Sequence, residues 1–180
     1  MISSQSNRHQ HLWTALLIVG SVALSLGFAC ATPFAAFAAL AALTLPRNEA
    51  LLASGGVWLA NQAVGFAFLH YPLTANCFGW AIALGIGIIV AALAAREVAS
   101  RFAGAGTIAA GVGAFFAAFA AHQVSLLLIA ATLLGGTAEF RPAIVAQIFA
   151  VNAPTFIGLA ALGWLAERVG IIAPVRRHLA

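Results

Sequence analysis

Charge in this sequence is confined to short gaps between long apolar runs. Eight arginines and four glutamates are its only formally charged side chains apart from histidine, and hydrophobic residues make up 63% of it. A soluble domain carries about 25% charged residues, enough to cover its surface. Here the share is 7%, which excludes a water-soluble globule and a disordered chain. The arginines punctuate the apolar runs and form no single patch. That pattern belongs to membrane topology and not to phosphate binding, so no nucleic-acid partner is expected. The lipid bilayer is the solvent this composition suits.

A helix needs about 20 apolar residues to cross about 30 Å of hydrocarbon. Six candidate spans emerge: Leu12–Cys30, Thr32–Leu45, Ala50–Leu69, Asn76–Ala95, Phe102–Gly135 and Ala143–Ala166. The expected fold is all-α, a polytopic membrane helix bundle with six transmembrane helices. Residues 1–11 and 167–180 are read as tails and 12–166 as the transmembrane domain. Arg8, Arg47, Arg96, Arg101, Arg168, Arg176 and Arg177 fall on one side of this arrangement, and Arg141 alone on the other. The positive-inside rule then places both termini in the cytoplasm of a bacterial inner membrane. Ala29-Cys30-Ala31 resembles a signal-peptide cleavage site, but the apolar run from Leu12 exceeds the usual length for one. It is read as a retained span. The second span is short. The fifth would measure about 50 Å as one straight helix, which predicts strong tilt, or a bend near His122-Gln123-Val124-Ser125.

Small residues recur every fourth position in several spans: Gly79, Ala83, Gly87, Ala91 and Ala95; Ser21, Ser25 and Ala29; Ala109, Gly113, Ala117 and Ala121. Such stripes let helix backbones approach closely, which is how membrane helices associate. The first reading is packing within the bundle; docking of another subunit is the alternative. Pro154 falls inside the sixth span, where its missing N–H predicts a kink. Cys30 and Cys77 are read as small buried apolar residues.

Polar side chains inside hydrocarbon are costly unless paired or facing a cavity. They are therefore the candidate site. Trp58, Asn61, Gln62 and Gly65 share one helix face, extended by Ser54. His122 and Gln123 fall in the fifth span, and Asn152 lies beside Pro154 in the sixth; Gln147 falls on a different face. The loop with His70, Tyr71, Asn76 and Cys77 would cover an outward cavity, or would be an interfacial belt. Spans three, five and six would line that cavity. Asn61, Gln62, His122, Gln123 and Asn152 would bind a ligand by hydrogen bonds, beneath His70, Tyr71 and Asn76, with Trp58 stacking under a ring. Glu139 and Arg141 would pair with each other or meet the ligand.

Catalysis is not expected. There is no aspartate, no pair of intramembrane carboxylates and no G-x-S-x-G elbow. No Gly-rich loop ends in Lys-Ser/Thr, so no nucleotide is expected either. His70, Cys77 and His122 could converge on a transition metal, but no two ligands have metal-site spacing on one helix. Neither a metal nor another cofactor is assigned.

The stretch Thr32-Pro33-Phe34-Ala35-Ala36-Phe37, running on to Leu45-Pro46-Arg47, and the small-residue first helix resemble the substrate-binding S components of bacterial energy-coupling-factor uptake systems. The length and the six-span plan are similar too. The resemblance implies binding of a vitamin or related micronutrient from outside, with dependence on an energising membrane partner. That family's docking pattern, alanines four residues apart in the first helix, would fall on Ala15, Val19 and Ala23, with Val19 departing from it. Proteins of cobalt and corrinoid uptake are a neighbouring resemblance. The expected function is uptake of a small polar solute through an outward-facing intramembrane cavity. The alternatives are a non-transporting accessory subunit of a larger membrane complex, and a cobalt- or nickel-type uptake component.

Overall fold

A computed structural model describes residues 2–28 and 32–168. The described residues form six α-helices and no strand: α1 (Ile2–Phe28), α2 (Phe34–Thr44), α3 (Arg47–Ala67), α4 (Ala75–Arg101), α5 (Thr107–Ile129) and α6 (Pro142–Arg168). Four stretches are long and apolar enough to cross a membrane: Arg47–Ala67, Ala75–Arg101, Thr107–Leu134 and Pro142–Leu165. Helix α1 begins at Ile2, well before its apolar run. Cys30, the Ala29-Cys30-Ala31 site, Arg176 and Arg177 lie outside the described residues, as do the side chains of Arg8 and Ser25.

The shortest helix occupies the centre. Residues 34–42 of α2 are all 3% exposed or less, and the helix packs on α3, α4, α5 and α6. Its sequence, FAAFAALAALT, explains this placement. A helix that is apolar all round has no face to give to water, and its alanines let four neighbours come close. Pro46 and Pro33 bound it. At 1.5 Å per residue it is about 16 Å long, half of a hydrocarbon core. Its C-terminal end is fixed by Arg96, whose Nη1 donates to Leu45 O at 3.2 Å, and by Trp13, whose Nε1 donates to Thr44 Oγ1 at 3.0 Å.

Helices α4 and α5 form the most extensive pair. The glycine–alanine stripe of α4 supplies its side of that interface: Leu134 lies over Gly79, and His122 and Leu126 over Gly87. The stripe therefore serves packing within the chain. The matching face of α5 is Ala110, Ala114, Ala118 and His122, one position along from the Ala109–Ala121 stripe. On α1, Trp13, Leu17 and Ser21 turn inward, and Ile18 rests on Gly56 of α3.

The fifth span sheds its excess length at its ends and not at the polar cluster. A 3-10 turn at Ala103–Ala105 and Gly106 (φ 96°) precede α5; a π turn at Ala130–Leu134 and Gly135 (φ 75°) close it. Residues His122–Ser125 stay helical because no proline or glycine interrupts the ladder there, and Ser125 Oγ donates to Ala121 O at 2.7 Å. Helix α6 likewise continues through Pro154. Beside it, Asn152 Nδ2 donates to Ile148 O (3.0 Å) and Thr155 Oγ1 to Val151 O (2.8 Å). Most of α6 is exposed; it meets α5 through stacked and edge-on contacts of Phe115 and Phe119 with Phe149 and Phe156.

Ala38 of α2 has no exposed surface, so Ala38→Leu overfills a packed centre at a cost of about 1–3 kcal/mol. The expected outcome is a lowered thermal midpoint in detergent. Leu133→Ala, at a position 79% exposed, leaves the midpoint unchanged.

Candidate functional site

A helix that starts inside hydrocarbon has N–H groups with no water to bond to. Helix α2 starts inside the bundle, where its N–H groups are likewise shut off from water. Asn61 lies about 21 Å along α3 from Arg47, at 1.5 Å per residue, and its Nδ2 donates to Thr32 Oγ1 at 2.7 Å. The chain entering α2 is therefore held well inside the bundle. Gln62 Nε2 extends the chain of bonds by donating to Asn61 Oδ1 at 3.0 Å.

The first turn of α2 is closed partly by itself and partly from outside. Phe34 N donates to Thr32 O (2.8 Å), and Ala36 N (3.1 Å) and Phe37 N (3.2 Å) both donate to Pro33 O. Pro33, at the capping position, has no side chain that can accept. Asn152 of α6 takes that role: its Oδ1 accepts from Ala36 N at 3.1 Å, in a buried bond between residues 116 apart in sequence. Asn152 is thus a helix cap supplied from another helix, and its Nδ2 is used on Ile148 O.

His122 of α5 is the third group at this turn. Its ring lies 5.9 Å from that of Phe34, centroid to centroid. Its Cδ2–Nε2 edge presses on Gly87, where an added Cβ would come within 3.2 Å of Cδ2. His122 Nε2 is buried and has no hydrogen-bond partner among the described residues; the same holds for Gln123 Nε2 on α5 and Ser54 Oγ on α3. An imidazole nitrogen and an amide donor are thus left over at mid-depth. Together, Asn61 of α3, His122 of α5 and Asn152 of α6 meet around the start of α2.

The other candidate residues are placed differently. Trp58 Nε1 donates to Ala81 O at 2.7 Å and its indole lies on Gly85, so it joins α3 to α4. Tyr71 folds over Gly65 and meets Phe66 edge-on. Asn76 Nδ2 donates to Leu134 O at 3.3 Å, tying the start of α4 to the π turn. His70 is exposed, with φ 54°. Gln147 is exposed, away from buried Asn152. Glu139 and Arg141 do not pair; Arg141 Nε donates to Ala138 O. Among the described residues no three His, Cys, Asp or Glu side chains are grouped to hold a metal ion, so His70, Cys77 and His122 do not converge.

Spans five and six meet through their phenylalanines, but span three packs mainly on α1, α2 and α4, and α2 stands between it and the other two. Sequence reading missed Thr32 and Phe34 as site residues, although the Thr-Pro pair before an apolar helix was a signal of a helix start. No family model, curated protein or solved structure matches this chain.

Asn152→Leu removes one of the two acceptors of Ala36 N–H and leaves Pro33 O at 3.1 Å, which costs about 0.5–1.5 kcal/mol, the net worth of one hydrogen bond. The expected outcome is faster hydrogen exchange at the first turn of α2 and a lower thermal midpoint. Gln147→Leu, on the exposed face of the same helix, changes neither.

Proposed function

We propose that this chain is a multi-pass protein of the bacterial inner membrane that takes part in uptake of a small polar solute, a vitamin-like micronutrient. It has six spans, with α2 and the segment before it making the second, and both termini in the cytoplasm. The solute reaches the first turn of α2 from the outside, between α3, α5 and α6.

The observation that carries this reading is a helix start sunk in the bundle with polar groups around it, one of which, His122, has an unpartnered Nε2. Discontinuous helices whose N-terminal ends sit near the bilayer midplane are a common device for solute binding in transporters, because the end offers N–H groups and a positive dipole. His122 and Gln123 bring hydrogen-bonding capacity that the protein itself does not use, and Asn61 and Gln62 extend a polar chain from the same turn. The role is binding and passage, with no chemistry done on the solute. The energy for transport comes from a membrane partner. The Ala15, Val19 and Ala23 face of α1 is exposed, which leaves it open to such a partner.

The accessory-subunit reading is favoured by different bonds: Trp58, Asn76 and Asn152 are all engaged with the chain's own backbone. One experiment separates the two. Native mass spectrometry of the purified protein is expected to show a retained small molecule, lost from the Asn61→Ala and His122→Ala variants. These variants are expected to keep their helicity and to lose uptake at least about tenfold, the effect of roughly 1.4 kcal/mol of binding. A stoichiometric membrane partner with no ligand, and unimpaired uptake in both variants, would establish the accessory role instead.

A further inference from the structure

A second feature lies at the other end of the molecule. Where α5 and α6 part, a groove of about 330 Å³ opens at the arginine-rich end. Trp13 of α1, Leu40 and Thr44 of α2, Thr107 of α5, and Phe156 and Trp164 of α6 line it. None of the residues around the first turn of α2 belongs to it. Its lining is mostly apolar, but its mouth is not. Arg168 stacks its guanidinium over the Trp164 ring at 4.7 Å from the centroid. Thr107 opens α5, a helix that no side chain caps.

Two dimensions say what fits. From Trp164 to Phe156 the groove follows α6 for about 12 Å at 1.5 Å per residue, with Arg168 one turn beyond its mouth. One leaflet of hydrocarbon is about 15 Å deep, half of the usual core. An acyl chain entering at the arginine-rich end would therefore run the length of the groove. A soluble solute would not match this apolar lining. The mouth adds charge: a guanidinium and an uncapped helix start both favour an anion. The two tryptophans, Trp13 and Trp164, stand at the level of that mouth, where such rings are at home in a membrane interface.

We propose that this groove binds one anionic phospholipid from the leaflet at the arginine-rich end, with an acyl chain between α5 and α6 and the phosphate at Arg168. The lipid then fills the gap that the splayed α6 leaves, and couples the position of α6 to the composition of that leaflet. The inference needs only that the helices lie in a membrane, so it stands or falls separately from the uptake reading.

The test uses the whole protein in detergent, exchanged against phosphatidylglycerol or phosphatidylcholine of identical chains, with bound lipid counted by native mass spectrometry. One phosphatidylglycerol is expected to be retained about fivefold better than phosphatidylcholine, the effect of one arginine near an anionic surface at about 1 kcal/mol. Arg168→Ala, an exposed position, is expected to bring the ratio close to one. Ala160→Trp, which fills the groove, is expected to lose both lipids, with circular dichroism confirming that the helices remain. Inorganic phosphate at millimolar concentration is expected not to displace the lipid. Equal retention of the two lipids by the unaltered protein, or a preference that survives Arg168→Ala, would overturn the proposal. So would displacement by phosphate alone, which would assign the site to a free anion.

Discussion

The central constraint on this structure is the buried start of α2, which one hydrogen bond across the bundle, from Ala36 N to Asn152 Oδ1, ties to α6. Burying the start of a helix in a medium without water leaves donors that must find acceptors or cost several kcal/mol each. Pro33 removes one donor by having none, and Thr32 and Pro33 carbonyls take two more. Ala36 N is shared between Pro33 O and a side chain from a helix more than a hundred residues later in sequence. The start of α2 is therefore tied to α6 as well as to α3, α4 and α5, although α6 buries little surface of its own. A local need of the backbone sets a long-range contact.

Packing elsewhere follows from small side chains. In lipid there is no hydrophobic gain from bringing two apolar helices together, so close contact and hydrogen bonds must do it. Gly87 shows both at once: its lack of a side chain lets the His122 ring reach α4, and that ring then stands beside Phe34 at the head of α2. Gly85 does the same for Trp58, whose indole N–H reaches Ala81 O. These glycines act as seats for polar rings that could not otherwise enter. The groove at the arginine-rich end has the reverse character, since there the helices part and the aromatic residues remain at the edges.

Much of the architecture was legible in the residues. The apolar runs gave the ends of α2, α3 and α6 to within a few positions, while α1 begins ten residues before its run and α4 continues six residues past its own. The four-residue stripe on α4 was correctly read as internal packing. The centrality of α2 was harder to see, although a uniformly apolar eleven-residue helix has no side to expose and its composition held the clue. What periodicity could not show is which helices surround it, because a sequence read along its length says nothing of neighbours across a bundle. For the same reason Asn61, His122 and Asn152 could be picked out as costly residues, while their meeting point at Thr32 and Phe34 could not. Trp58 and Asn76 looked like ligand contacts because a side-chain donor facing a backbone carbonyl has no mark in sequence. The excess length of the fifth span was real, but glycines at its two ends absorbed it more cheaply than a break at His122 would have.

The weak hold on α6 has a further meaning. It is joined to the remainder by one buried amide near its middle, by phenylalanine contacts with α5, and by the Trp13 ring against Gly163. The α4–α5 pair has no such dependence. The molecule therefore divides into a firm block and a detachable stave, with opening energies that differ by region as they do in proteins generally. Rupture of the bond at residue 152 would loosen the stave at its middle while its packing on α2 and its phenylalanine contacts held, and the head of the central helix would fall back on Pro33 O alone for Ala36 N.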